Sequence, residues 1–198
     1  MESFALQVFS PLMALHIFMR ISYIVIILLF SSALSITQTI SPTEYQVKAA
    51  FLYNFAKFVE WSPETFSDTT TPIVIGILGE DPFEADLDTI VKDKNINGRE
   101  FVVRRFQALK ELEQCHILFI SSSEQKDMPK ILRRLRNSGM LTVSEVEHFA
   151  HIGGMINLVV EENKVRFEIN VEAAEREGLK ISSQLLKLAR IVSEKENN

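Results

Sequence analysis

A single cysteine, Cys115, stands in 198 residues, so no internal disulfide can form and hydrophobic burial must hold the fold. Cys115 precedes a strand-like run, where the expected role is a small core hydrophobe, not a reactive thiol. Glycine is scarce, at 7 residues. Gly76 and Gly79 follow a strand and precede a helix, yet the third glycine of a dinucleotide fingerprint is missing. Glu80-Asp81 would also place carboxylates where a pyrophosphate needs bare amides. Among 4 histidines, His148 and His151 are three apart with no third ligand fixed by a motif, so they read as solvated surface residues. No metal and no cofactor are expected. No nucleophile-elbow, zincin or phosphate-loop pattern occurs, and Ser121, Ser122 and Ser123 end a strand without a local base, so the reading is not an enzyme. With 21 basic against 26 acidic residues, a formal charge of −5, there is no nucleic-acid footprint either.

What the chain does have is apolar content, 46% of its residues, enough for one sizeable core. Met19-Arg20, the run Ile21 to Phe30 and Ser31-Ser32-Ala33 have the three parts of a secretory signal. Residues 1–33 are read as that signal, with cleavage after Ala33 or Ser35 and Met13 or Met19 a more typical start. The competing reading is an uncleaved membrane anchor, because Met1 to Phe18 is apolar as well. Removing residues 1–33 takes away one acid, Glu2, and one base, Arg20, so the charge stays at −5. A domain is expected over 41–193, with a frayed polar tail at 194–198.

Strand and helix patterns then alternate. Ile73 to Leu78 is a β-branched run, and Asp81-Pro82 opens a helix to about Lys92. Asn97-Gly98 marks a turn before a strand at Phe101-Val102-Val103, and Leu109 to Glu113 is a helical turn before the strand His116 to Ser121. Lys126 to Asn137 is a helix stopped by Gly139, and Met140 to Val143 is the next strand. Met155 to Val160 and Val165 to Asn170 read as an antiparallel hairpin with a four-residue connection, Glu161 to Lys164. Val171 to Glu177 and Ser182 to Ser193 are closing helices separated by Gly178. The fold class is therefore α/β: one compact domain, a mixed, mostly parallel sheet flanked by helices on both faces, with a C-terminal antiparallel hairpin.

The segment Tyr45 to Trp61 predicts the domain's first helix. At 100° per residue, Val47, Phe51, Asn54, Phe55 and Phe58 share the inward face, with Leu52 and Val59 at its margin. Phe51, Phe55 and Phe58 are expected core residues and Asn54 an internal amide staple; Lys48 is expected to lay its stem along the apolar edge with its ammonium in water. This segment resembles the opening helix of the YfiR/HmsC-like periplasmic proteins. The likeness continues through Gly76 to Phe83, Cys115 to Ser121, Leu141 to Ser144, Gly153 to Ile156, Val165 to Asn170 and Gly178 to Ala189. Cysteines that pair in some relatives have no counterpart between Gly153 and Leu158.

The resemblance implies a non-enzymatic periplasmic repressor that binds the periplasmic domain of an inner-membrane diguanylate cyclase and lowers cyclic di-GMP. A small-molecule sensor acting on another receptor, such as a histidine kinase, is the alternative; a ligand and a homodimer are left open. Relatives of this kind are thought to bind partners or small aromatic molecules near the hairpin. Its row Arg166, Glu168 and Asn170, facing away from Val165, Phe167 and Ile169, is the candidate partner- or ligand-binding surface. The basic segment Lys126 to Arg136, with Lys130, Arg133, Arg134 and Arg136, is either a solvated face or an approach to an anionic membrane or acidic partner.

Overall fold

A computed structural model of the chain describes residues 42–194. The export segment read over 1–33 and the tail residues 195–198 lie outside the described residues.

Helix α1 (Glu44–Phe58) begins at a capping box: the Thr43 hydroxyl accepts from Gln46 N at 3.2 Å and the Gln46 side chain accepts from Thr43 N at 3.1 Å. Its buried stripe is Lys48, Ala49, Leu52, Phe55 and Ala56. This corrects the expected face. Leu52 sits at its centre and not its margin, while Phe51, Asn54 and Phe58 are half-buried. Ala49 and Ala56 are the reason: two small residues let the helix approach the sheet there, whereas the bulky phenylalanines had weighted the expectation toward their own side.

The helix ends at β1 (Val59–Glu60), and β2 (Ile73–Leu78) opens the main sheet. The expected helix from Asp81 starts later, as α2 (Asp86–Val91). Asp81 instead accepts from Phe83 N at 2.8 Å, closing an aspartate turn, and Glu84 at φ 49° interrupts any helix before Asp86. Next come β3 (Asn95–Ile96) and β4 (Arg99–Phe106), joined through Asn97-Gly98, both at positive φ. After them follow β5 (Ile117–Ile120), α3 (Met128–Arg134), β6 (Leu141–Ser144), β7 (Ile156–Glu161) and β8 (Lys164–Asn170). The chain closes with α4 (Val171–Arg176), β9 (Lys180–Ile181), α5 (Ser183–Leu186) and β10 (Arg190–Val192).

The strand order of the 8-stranded sheet is β10-β8-β7-β6-β5-β2-β4-β3, and β1 pairs with β9 in a small antiparallel sheet. The run from β4 to β7 is parallel; β7 pairs with β8 antiparallel, and β10 lies parallel to β8. The last element corrects the expected helix Ser182 to Ser193. Ser182 caps a single turn, and the β-branched pair Ile191-Val192 extends the sheet beside β8, whose edge offers unpaired backbone groups.

Alternate residues of β2 feed two cores. Ile73, Ile75 and Ile77 join α1, α2 and the hairpin, while Val74 and Leu78 pack with Met128, Ile131 and Leu135 of the α3 segment. A Cβ on Gly76 would lie 3.0 Å from Cys115 Sγ and 3.1 Å from Leu118, so the glycine makes room for the cysteine. Cys115 is buried against Met140, and burial pushes its thiol up to about 12.

Candidate functional site

The β7–β8 hairpin turns through Glu162-Asn163, at φ 50° and 59°, with Glu161 paired to Lys164. The connection is thus two residues, not four. Both turn residues adopt the left-handed region that matches the twist of a two-residue hairpin.

The row opposite Phe167 and Ile169, read as one candidate binding surface, is not uniformly exposed. Arg166 is exposed, but Glu168 is 6% exposed and Asn170 fully buried. Asn170 works locally: its Nδ2 donates to Ala150 O at 2.8 Å and its Oδ1 accepts from Ala173 N at 2.9 Å, capping α4. Glu168 is covered because β10 runs alongside: Arg190 Nε and Nη2 donate to its Oε1 at 2.9 and 2.6 Å. The other arm of Arg190 reaches Glu161 at 2.8 Å, and Arg166 lies 3.6 Å from the same carboxylate. Hydrogen bonding to Glu168, reinforced by its charge, raises the pKa of Arg190 further above its ordinary value.

The result is an ion ladder, Arg166, Glu161, Arg190, Glu168, across the hairpin and the sheet edge. Beside it Leu188 is 75% exposed; Ile191 and Val160, 52% and 48% exposed, alternate onto the other face of the sheet, in register with Ile169 and Val165. An open cleft of about 480 Å³ runs between Val159, Arg166, Phe167, Leu188 and Arg190. Guanidinium forks next to an exposed aliphatic side chain can hold a carboxylate-bearing or backbone-rich surface while removing Leu188 from water.

Two interior polar groups lay beyond the sequence reading. Lys48 is 3% exposed, with its ammonium 2.5 Å from both Glu145 and Glu44 and 4.7 Å above the Tyr45 ring. The expected stem-buried, head-in-water placement is therefore corrected, because Glu145, at the end of β6, supplies a counter-charge inside. Burial opposes the charge on Lys48, but the hydrogen bonds to Glu145 and Glu44 outweigh it and hold the pKa above the usual lysine value. Asn157 is, with Asn170, an internal amide, fully buried and donating to Ser144 O and Val146 O at 3.2 and 3.0 Å; the expected staple, Asn54, is only half-buried. A polar residue inside the apolar run Met155 to Val160 was the available signal for it.

His116 is also buried, stacked on Phe66 at 4.6 Å with the Trp61 edge at 5.9 Å. Its Nδ1 accepts from Val74 N at 3.0 Å, which places the proton on Nε2. Burial, with the nearby Arg99 charge, lowers its pKa to about 4. His148 and His151 lie with rings 5.8 Å apart, and His151 Nδ1 is 3.2 Å from Ser193 O. Among the described residues, no three metal-capable side chains gather.

A family model described as YfiR/HmsC-like matches residues 45–190. Two solved structures are similar to the chain at low identity. One, a conserved domain protein from Vibrio cholerae O1 biovar eltor, is 12% identical at TM-score 0.50. The other, an ABC domain in complex with L-Trp from Streptococcus pneumonia, is 11% identical at TM-score 0.49. In each case the match covers 75% of this chain and 60% of the solved one.

Proposed function

The chain belongs to the YfiR/HmsC-like family, and on that premise we propose that it restrains a membrane-bound diguanylate cyclase by binding the cyclase's periplasmic sensor domain. The family is one of non-enzymatic periplasmic regulators of cyclic di-GMP signalling. The observation that carries the reading is the extent of the family match, over nearly the whole described domain. Export, with cleavage near Ala33, is part of the proposal, and the mass of the protein recovered from the periplasm tests it.

The binding surface proposed is the ion ladder and its apolar flank. Arg166 takes the role first assigned to its whole row. Glu168 and Asn170 act by shaping the surface, Glu168 through its grip on Arg190. A bound sensor domain would cover Leu188 and compete for the guanidinium groups.

Deleting the gene is expected to raise cyclic di-GMP and surface attachment. Complementation with Arg166→Ala or Arg190→Glu should restore repression only partly. For a micromolar complex, breaking one interfacial charge pair costs about 1.4 kcal/mol or more, roughly tenfold in affinity. Unchanged cyclic di-GMP in the deletion strain, with the cyclase active, refutes the repressor; full repression by both folded variants refutes only this surface.

A further inference from the structure

The arginines of this protein divide sharply. Outside the α3 segment, every described arginine is engaged: Arg104 with Glu113, Arg105 with Asp81 and Asp88, Arg166 and Arg190 on the ion ladder, Arg176 with Glu194, and Arg99 on Thr71 O and the Phe66 ring. Arg133, Arg134 and Arg136 form no ion pair among the described residues, and neither do Lys126 and Lys130. All five are exposed: Lys130 and Arg133 lie on the side of α3 opposite the buried Met128 and Ile131, Lys126 precedes the helix, and Arg134 and Arg136 stand at its C-terminal end.

The helix dipole explains one or two cations near a C-terminus. It does not explain Lys130 set four residues from Arg134, and Arg133 three from both Lys130 and Arg136, spacings at which like charges repel. A merely solvated helix face mixes signs; here the acids Glu124 and Asp127 flank Lys126 before the helix, and from Met128 to Arg136 every charge is positive. Next to the cations lies an open, mixed cleft of about 530 Å³: Leu132 and Ile152, the latter 46% exposed, share it with Arg133, Arg136 and Arg176, and its two acids are engaged, Glu194 by Arg176 and Glu177 by Asn137 N and Gly139 N.

We propose that this face docks on an anionic phospholipid surface, the cations on headgroup phosphates and Ile152 at the acyl boundary. Unpaired cations without fixed acceptors suit a layer whose charges move laterally, and aliphatic side chains among them suit an interface that is wet on one side and apolar on the other. An acidic protein would be expected to meet fixed forks, of the kind seen on the ion ladder. The inference does not rest on the repressor reading, and it concerns a different face.

The test is vesicle co-sedimentation of the full chain with phosphatidylglycerol in phosphatidylcholine at about 1:2, against phosphatidylcholine alone; charge attraction should favour the anionic vesicles about tenfold and weaken as salt shortens its range. Lys130→Glu/Arg133→Glu/Arg136→Glu should abolish that preference at an unchanged melting temperature. Wild type and variant share the same N-terminal segment, so its own membrane affinity cancels in the comparison. If the triple variant misfolds, Arg133→Gln/Arg136→Gln replaces it, and the preference should fall about threefold or more. Equal binding of the wild type to both vesicles, or retention of the preference by a folded variant, overturns the proposal. Binding to immobilised polyglutamate without any preference for anionic vesicles overturns it in favour of an acidic protein partner.

Discussion

Glu145 and Glu168 are nearly equally hidden, with side chains 11% and 8% exposed, and each is held by a cation from another element, α1 for Glu145 and the neighbouring strand β10 for Glu168. Their partners differ. Lys48 is buried as deeply as its carboxylate, whereas Arg190 is 55% exposed and shares itself with Glu161. The first pair lies within protein and ties α1 to the end of β6. The second keeps its carboxylate fixed while presenting its cation to water. One chemistry thus yields a closed staple at one end of the sheet and a half-open surface at the other, and what separates them is whether anything packs over the cation.

Lys48→Ala should break the closed pair most severely, since it strands Glu145 in a nearly dry site. A loss of about 3 kcal/mol or more in chemical denaturation is expected. Wild-type stability would mean that water already reaches Glu145 and that the contrast is false.

The buried imidazole of His116, at the opposite end of the strands from Glu145, gives the interior a pH signature of its own. Above the unfolded value of 6.5 the ring is neutral in both states and contributes nothing to the pH dependence. As pH falls from there toward about 4, the unfolded chain takes up a proton that the folded protein refuses, so stability declines across that window. Allowing for solvent screening, the decline from this group is about 2 kcal/mol. Imidazole resonances followed by NMR should show His116 still neutral at pH 5; protonation near 6.5 would remove the effect.

At the half-open end, Arg190→Ala uncovers Glu168 to water as well as freeing it, so a smaller loss of about 1–2 kcal/mol is expected in thermal or denaturant unfolding. Arg166→Ala should be nearly silent in stability, within about 0.5 kcal/mol, because the pair it leaves is exposed. Its effect should register in repression instead. A larger destabilisation by Arg166→Ala than by Lys48→Ala would invert the comparison.

The parallel sheet, the hairpin and the first helix were legible because their signals are local: β-branched runs, Asn97-Gly98 and the apolar period of α1. The closing strand was not. Ala189 to Val192 continues a helical pattern, and only the free edge of β8 makes the extended form preferable there. The same edge buries Glu168, so the period-two reading of the strand had the faces right and their solvation wrong. Lys48 was misplaced for the equivalent reason: its counter-charge, Glu145, lies in a loop whose position no local pattern announces. Arg166 was recoverable from alternation, but Arg190, which completes the ladder, carried no signal in a segment read as helix.

The union of Lys48 with Glu145 spans 97 positions of chain, and that of Tyr45 with the same carboxylate spans 100. At a synthesis rate of about 5–20 residues per second, Glu145 is added some 5–20 s after Lys48. Until then α1 has its capping box and Glu44 beside Lys48, but no Glu145 and no hairpin to cover it, and a helix of 15 residues alone in water is marginal. The first-made element of the domain has β2 and α2 to pack on early, but its tie to the end of β6 closes late. A nascent chain that has not yet made Glu145 and Phe167 keeps its N-terminal half unlatched, whatever waits to receive it.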